Sequence, residues 1–168
     1  MSSEVYKINV IGDIDENAYE SFAEQMDDSG IVQPGDDIVI ELMSHGGDAM
    51  VGLAFYDRIR KHKGNVTVVA YGMVASAAVI ILAAGDKRYM AENAWVMVHD
   101  DTTLVTEEDR VSQAEAKLKT SRRLEDQWCK ILASRTKASS VTWQHLQENE
   151  TYLSSSECFK LGLIDKVI

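Results

Sequence analysis

Ser76 stands where a β-branched apolar run gives way to an alanine-rich run, at the junction of a predicted strand and a predicted helix. A serine in the first turn of a helix lies near backbone N–H groups without intrahelical acceptors, at the positive end of the helix dipole. That position suits a nucleophile whose oxyanion is stabilised by N–H donors. Serine is also a favoured N-cap residue, so helix capping is the alternative explanation for Ser76.

Two further segments carry residues that could act with such a serine. His99 follows the apolar run Trp95–Val98, and functional side chains are frequent at the ends of parallel strands. The segment 44–48, Ser-His-Gly-Gly-Asp, also lies between an apolar run and a helical pattern. Its paired glycines permit close backbone approach to a ligand. It lacks the G-x-G-x-x-G spacing of dinucleotide sites, so no nucleotide cofactor is expected.

Apolar periodicity predicts strands that alternate with helices. The predicted strands are Tyr6–Ile11, Ile38–Met43, Val66–Ala70, Tyr89–Met90, Trp95–Val98 and Ile164–Ile168. The predicted helices are Glu16–Met26, Ala49–Lys61, Ser76–Ala84, Glu107–Arg135, Trp143–Glu148 and Glu157–Leu161. This order predicts an α/β fold with a largely parallel sheet, in one domain over residues 1–168. The longest helix either projects from the globule or lies along the core.

The composition is that of a globular protein, with 45% hydrophobic and 26% charged residues and a net charge of −10. This acidity argues against nucleic-acid and anionic-membrane partners, which require clustered lysine and arginine. Cys129 and Cys158 are too few for a disulfide framework and are not spaced as metal ligands. No signal-peptide pattern opens the chain. We therefore expect a cytoplasmic protein without a metal or cofactor.

Residues 66–85 carry no formal charge over a length that would span a membrane. Their first part is β-branched and their second part is rich in alanine, isoleucine and leucine, with Gly72 and Ser76 between. A buried strand followed by a buried helix accounts for this change better than a membrane helix does.

Three motifs taken together are more specific than any one of them. They are Ser-His-Gly-Gly-Asp at 44–48, Gly-Met-Val-Ala-Ser-Ala-Ala at 72–78 and Val-Met-Val-His at 96–99. They closely resemble successive motifs of the proteolytic subunit of the Clp protease (ClpP), and the run 150–165 resembles that family too. The variant Glu-Thr-Tyr-Leu at 150–153 looks most like phage- and prophage-encoded members, several of which are capsid maturation peptidases.

The resemblance implies a role for five residues. The family's nucleophile falls on Ser76, its general base on His99 and its acid on Glu150. Its oxyanion N–H groups fall on Gly47 and Ala77. The implied activity is endopeptidase cleavage of unfolded or extended peptides by a Ser-His-acid triad.

The resemblance also implies a fold and an assembly. The fold is crotonase-like, with repeated ββα units and a projecting handle helix at about residues 101–135. Family members assemble as rings, so we expect a homo-oligomer, either one heptameric ring or two stacked rings. Residues 102–106 of the handle would present a backbone edge to an extended peptide substrate.

The chain departs from the family at the acid, where Glu150 replaces an aspartate. A glutamate can still orient an imidazole, but its extra methylene changes the geometry. Asp101 is a weaker candidate for the acid. Asp100 is expected to point away from His99, because adjacent side chains of a strand face opposite sides.

The chain also departs where the family docks an unfoldase. It begins almost at its first strand, so the segment that forms axial gate loops in the family is expected to be very short or missing. Val39 and Glu41 occupy positions where the family often carries tyrosines for ATPase docking. A partnership with an AAA+ unfoldase is therefore doubtful.

Other functions fit parts of the same pattern. A crotonase-type acyl-CoA enzyme would keep the oxyanion hole without a serine nucleophile. A weakly active or inactive ClpP-like assembly or capsid-associated protein would explain the change to Glu150. A Ser-Lys peptidase would need a lysine base and a membrane anchor, and the sequence offers neither clearly.

Overall fold

The computed structural model describes residues 5–28, 32–100 and 105–168. The strands are β1 (Val5–Ile11), β2 (Asp37–Ser44), β3 (Val66–Ala75), β4 (Lys87–Met90), β5 (Trp95–Val98), β6 (Thr151–Ser154) and β7 (Lys166–Val167). The helices are α1 (Glu16–Ala23), α2 (Ala49–Lys61), α3 (Ala77–Ala84), α4 (Val111–Arg135), α5 (Ser140–Glu148) and α6 (Ser155–Leu161). The alternation of strands and helices confirms the predicted α/β fold.

The sheet branches at its long central strand. Parallel strands follow the order β1-β2-β3-β4-β7. The first half of β3 pairs with β4, from Thr67 to Ala70, and its last three residues pair with β5 instead. Gly72 lies between the two halves with φ +54°, a left-handed conformation that glycine adopts readily. Because β3 changes its pairing partner, the end of β5 lies beside the end of β3. Ser76 is the residue that follows β3.

Helix α3 is the centre of the core. All eight of its residues are buried, which explains why its sequence is apolar on every side. Gly52 of α2 packs closely on it, since a Cβ added at Gly52 would lie 3.0 Å from the Ala77 carbonyl oxygen. Residues 66–85 thus form a strand and a buried helix, as predicted. Across the described ranges, no helix is long and apolar enough to cross a membrane.

Helix α4 combines both arrangements that the sequence left open. Its last part is buried through Ser121, Trp128, Cys129 and Leu132, which face the core. Residues 111–120 are exposed except for the half-buried Ala114. Because an α-helix rises about 1.5 Å per residue, the exposed stretch is about 15 Å long. The helix therefore lies on the core at one end and projects from it at the other.

Several predicted bounds are corrected by local hydrogen bonds. Helix α4 begins at Val111 and not at Glu107, because a turn precedes it in which the Thr106 N–H donates to an Asp109 carboxylate oxygen at 2.9 Å. Strand β3 runs to Ala75, and α1 ends at Ala23, where a π-helical segment, Glu24–Asp28, continues it. The last strand is only Lys166–Val167.

Arg88 and Arg135 attach the far end of α4 to the core. The Arg135 guanidinium donates to the carbonyl oxygens of Ala83 and Gly85 at 3.0 and 2.7 Å, which satisfies acceptors at the end of α3. Arg88 donates to the Arg135 carbonyl oxygen and pairs with Asp165 at 2.6 Å. These bonds hold α4 across one side of α3 and so fix one wall of the site.

Candidate active site

Ser76 lies in a sharp turn between β3 and α3. Its backbone has φ +52° and ψ −124°, outside the conformations that non-glycine residues usually adopt. Holding a residue there costs about 1–3 kcal/mol, and such strain is common at functional sites. The Ser76 side chain makes no N-cap hydrogen bond. Capping therefore does not explain this serine.

His99 is the hydrogen-bond partner of the Ser76 side chain. The His99 Nε2 atom lies 2.9 Å from Ser76 Oγ, and both residues are half-buried. The backbone fixes their spacing, because the Ser76 N–H donates to the Met97 carbonyl oxygen at 2.9 Å, two residues before His99. The β3–β5 pairing thus brings together two residues that are 23 positions apart in the sequence.

The double glycine after β2 passes directly beside Ser76. The Ile14 N–H donates to the Gly46 carbonyl oxygen at 2.9 Å, and the Asp48 N–H donates to the Ile14 carbonyl oxygen at 2.8 Å. The Asp48 carboxylate then caps α2 by accepting from the N–H groups of its first turn. These bonds fix the loop from both sides and leave Gly47 on the wall of the site.

The N–H groups of Gly47 and Ala77 have no acceptor among the described residues. In the described part of the chain, neither donates to a backbone carbonyl outside the helix and strand ladders. Ala77 begins α3, so its N–H has no intrahelical acceptor. The two residues line the same cavity as Ser76. The arrangement can present two donors to an oxygen atom held next to Ser76 Oγ.

Gly46 packs so closely against Ser76 that a side chain there would displace the serine. A Cβ added at Gly46 would lie 2.7 Å from Ser76 Cβ and 2.8 Å from the Ala75 carbonyl oxygen, at φ +99°. We expect Gly46→Ala to displace Ser76 and to lower peptidase activity at least about tenfold, because small misplacements of reacting groups are costly. Initial rates on a fluorogenic peptide measure the effect.

The control for Gly46 is Gly35→Ala. Gly35 has a similar φ of +105°, but nothing lies within 4 Å of its added Cβ. It should lose about 1 kcal/mol of unfolding free energy through backbone strain alone and keep its activity. Equal activity of the two variants would show that the Gly46 contact does not position Ser76.

A cavity of about 190 Å³ opens beside Ser76 and His99. Helices α3, α4 and α5 and the end of β5 enclose it. Most of its wall is apolar, and its polar lining residues include Ser76, His99 and Asp100. The side chains on the α4 and α5 walls are Leu124, Glu125, Trp128, Leu132 and Gln147. The cavity can hold a side chain of a substrate whose backbone lies at Ser76.

The structure treats the three candidate acids for His99 differently. Glu150 is exposed and has φ +43°, and no hydrogen bond or ion pair joins it to His99, both being described residues. Asp100 lines the same cavity as His99. Strand alternation does not separate them, because β5 ends at Val98. Asp101 lies outside the described residues, as do residues 102–104 of the expected substrate edge. The role of Glu150 stays a prediction.

Sequence reasoning missed the short strand that follows Glu150. Strand β6, Thr151–Ser154, pairs antiparallel with β5 in the register Val98↔Thr151. The ladder ends at this pair, and His99 and Glu150 are the next residue on each side of it. The alternation in Thr-Tyr-Leu-Ser was a signal for a strand, but four residues are too few to stand out. Sequence reasoning also missed that Gln147 lines the cavity, because its position resembles that of an ordinary polar residue on a helix.

Comparison with known families agrees with this geometry. The model of the family described as Clp protease matches residues 3–168. The chain belongs to the Clp protease family. Over its described residues, a sheet of seven strands with six helices is consistent with the fold of that family. The Clp protease family consists of serine-type peptidases, so the contact between Ser76 and His99 lies in a protein of the matching reaction class.

Proposed function

We propose that this member of the Clp protease family is a serine endopeptidase that cleaves extended or unfolded peptides, with Ser76 as its nucleophile. One observation carries the proposal: Ser76 Oγ makes its hydrogen bond to His99 Nε2 at 2.9 Å and caps no helix. The serine also stands in a strained turn that presents Oγ at the mouth of a cavity. An N-cap serine would have neither feature.

The proposed reaction follows from the positions of the donors and acceptors. The Ser76 hydroxyl donates to His99 Nε2, which takes the proton as Oγ attacks the peptide carbonyl carbon. The N–H groups of Gly47 and Ala77 stabilise the negative oxygen of the tetrahedral intermediate. His99 then donates the proton to the leaving amine, and an acyl-enzyme remains on Ser76. A water molecule, deprotonated by His99, attacks the acyl group and releases the acid product.

We assign Glu150 as the acid that orients His99. The β5–β6 ladder ends at Val98↔Thr151, and His99 and Glu150 are the next residue on each strand, which supports a short distance between them. We expect the Glu150 carboxylate to reach His99 Nδ1 by a change of side-chain rotamer. It then fixes the tautomer with Nδ1 protonated, which leaves Nε2 free to accept the Ser76 proton.

Digestion of an unfolded protein tests the proposal. The purified protein should cut a denatured, unstructured substrate at internal bonds, and mass spectrometry of the products should show new termini away from both ends. Products limited to single residues released from one end of the substrate would contradict the assignment as an endopeptidase. The same assay with a folded substrate serves as the control, since a folded chain cannot lie extended in the site.

A second candidate function has its own support. Because the Glu150 side chain faces solvent, the chain could be an assembly or capsid-associated protein with little turnover. In that case Ser76 would react once with an activated ester, and its acyl-enzyme would not be hydrolysed at a useful rate. A burst of one equivalent of product without steady turnover would favour this candidate over the peptidase.

Assembly into a ring is the next prediction, and the exposed part of α4 is the surface that supports it. Members of the Clp protease family form oligomeric rings. Leu118 is 46% exposed on this part of α4. We expect analytical ultracentrifugation to detect a ring, heptameric or doubled, which Leu118→Glu dissociates by burying a charge at the contact.

The matched control for assembly is Val141→Glu, on α5. Val141 is even more exposed than Leu118 and lies on α5, outside the exposed part of α4. It should leave the sedimentation coefficient unchanged. A parent protein that sediments as a monomer at micromolar concentration would contradict the assembly prediction, and so would equal dissociation by both variants.

Independence from an unfoldase is a further prediction. Glu41 is held in an ion pair with Lys7 of β1, at 2.7 Å, and does not offer an aromatic surface. Hydrolysis of short peptides should therefore need no ATPase. A bacterial AAA+ unfoldase should raise the degradation of a folded, tagged substrate less than about twofold, since apolar anchors usually dominate such contacts. Robust ATP-dependent degradation would overturn this expectation.

A further inference from the structure

Cys129 of α4 and Gln147 of α5 form a buried link between the two helices. Cys129 is 4% exposed and Gln147 is 7% exposed. The Cys129 thiol donates to Gln147 Oε1, with 2.8 Å between the sulfur and the oxygen. Burial raises the pKa of this thiol to about 11, helped by the nearby carboxylates of Asp126, Glu125 and Asp100. The thiol therefore keeps its proton at neutral pH and is the donor in this bond.

The main chain of Gln147 connects this link to Glu150. Gln147 lies in the last turn of α5, and its carbonyl oxygen accepts the Glu150 N–H at 3.0 Å. On the other side of Glu150, the Thr151 hydroxyl donates to the Leu146 carbonyl oxygen at 2.7 Å. The end of α5 thus holds the turn that contains Glu150 on both sides. The Cys129 thiol in turn helps to hold the end of α5 against α4.

Glu150 needs such support because of its backbone conformation. Its φ of +43° is unfavourable for a residue with a side chain, and such a conformation persists only where the surrounding structure imposes it. The turn also determines where the carboxylate stands relative to His99, since Glu150 directly precedes β6 and His99 directly follows β5. A shift of the end of α5 would therefore move the carboxylate relative to the imidazole.

We propose that Cys129 is a positioning residue for the acid of the triad, because its bond to Gln147 fixes the turn from which Glu150 reaches His99. The inference rests on the proposed function, in which Glu150 orients the His99 imidazole. Cys129 is not among the described residues that line the cavity, so it acts through Gln147 and does not touch the substrate. Loss of the bond should therefore lower kcat with little change in KM, as misplacement of a catalytic group does.

Matched substitutions test whether the thiol proton matters. Cys129→Ala removes the donor and should lower kcat on a fluorogenic peptide about fivefold or more. Cys129→Ser keeps a donor and should recover most of the parent kcat. Gln147→Met removes the acceptor instead and should lower kcat to a similar extent, which keeps the test open if Cys129→Ala does not fold. Parental kcat in both Cys129→Ala and Gln147→Met would overturn the proposal.

The other buried cysteine supplies the control. Cys158 is fully buried on α6, and its sulfur lies 4.0 Å from the Leu153 carbonyl oxygen, so its contact is much longer than that of Cys129. Cys158→Ala should keep the parent kcat, although it removes an equally buried thiol. An equal loss of kcat in Cys158→Ala and Cys129→Ala would show a general effect of packing and would contradict a positioning role for Cys129.

A double-mutant cycle shows whether Cys129 acts through Glu150. Glu150→Gln has no carboxylate to position, so adding Cys129→Ala to it should lower kcat by less than about twofold more. A further loss as large as in the parent background would overturn the inference. If Glu150→Gln alone keeps the parent kcat, both the assigned acid and this inference fail. If Glu150→Gln lowers kcat while Cys129→Ala and Gln147→Met do not, this inference alone fails and the proposed function stands.

Discussion

Ser76→Ala should abolish peptide hydrolysis while the protein still folds. Without Oγ, only the oxyanion donors and substrate binding remain, and loss of a triad nucleophile lowers kcat by about 10⁴-fold or more. The fold should tolerate the change, because Ser76 makes no cap and, among the described residues, its side chain bonds only His99. We expect the free energy of unfolding to change by less than about 1.5 kcal/mol, the value of one hydrogen bond. Steady-state kinetics and urea denaturation measure the two quantities.

The matched control is another serine that precedes a helix. The Ser139 hydroxyl accepts from the Thr142 N–H at 3.1 Å and caps α5, as Ser76 does not cap α3. Ser139→Ala should therefore lose about 1 kcal/mol of stability and keep full activity. Near-parental activity in Ser76→Ala would exclude Ser76 as the nucleophile. Unfolding of that variant would instead assign Ser76 a structural role.

Glu150→Gln should have the second largest effect. The amide can donate to His99 Nδ1 and so stabilise the tautomer that carries its proton on Nε2, where it blocks acceptance of the Ser76 proton. We expect kcat to fall about 10²-fold or more, by analogy with the loss of the orienting acid in other triads. Glu150→Asp keeps the charge and should retain more activity than Glu150→Gln, because it still favours the correct tautomer.

Glu148→Gln supplies the control for Glu150. Glu148 is an exposed carboxylate two residues earlier that accepts from Gln144 at 3.0 Å and does not face β5 in the strand register. Its change to glutamine should leave kcat unaltered. If Glu150→Gln is as active as the parent while Asp101→Asn is inactive, then Asp101 is the acid and the β5–β6 register does not identify it.

The alternating elements could be predicted because their apolar patterns are strong. Helix α2 has the predicted bounds Ala49–Lys61, where Asp48 gives a clear N-terminal signal and three basic residues fill the last turn. Helix α3 begins one residue later than predicted, at Ala77, because Ser76 belongs to the turn. Local sequence determines these features, so it was sufficient to find them.

The parts that sequence missed depend on contacts between distant segments. The extension of β3 to Ala75 depends on β5, which is more than twenty residues further along the chain. Strand β6 exists only because β5 offers it an edge, since Thr151–Ser154 is short and half polar. The same kind of contact orients Gln147, whose partner Cys129 lies on another helix. No local pattern carries such pairings.

The candidate site divides in the same way. Residue types and motifs pointed to Ser76 and His99, and the fold brings their side chains to 2.9 Å. Motif resemblance also pointed to Glu150, but the direction of its side chain depends on a left-handed turn that no motif encodes. The roles of Gly47 and Ala77 as oxyanion donors stay predictions, supported by their places on the cavity wall.

Covalent labelling of the intact protein by a fluorophosphonate tests the central claim most directly. Mass spectrometry of the digested adduct should find one equivalent of phosphonate per chain on the peptide that contains Ser76. The Ser76→Ala and His99→Ala variants should not react, the first for want of the oxygen and the second for want of the base that removes its proton. Labelling on another residue, or none in a folded parent protein, would contradict the claim that Ser76 is an activated nucleophile.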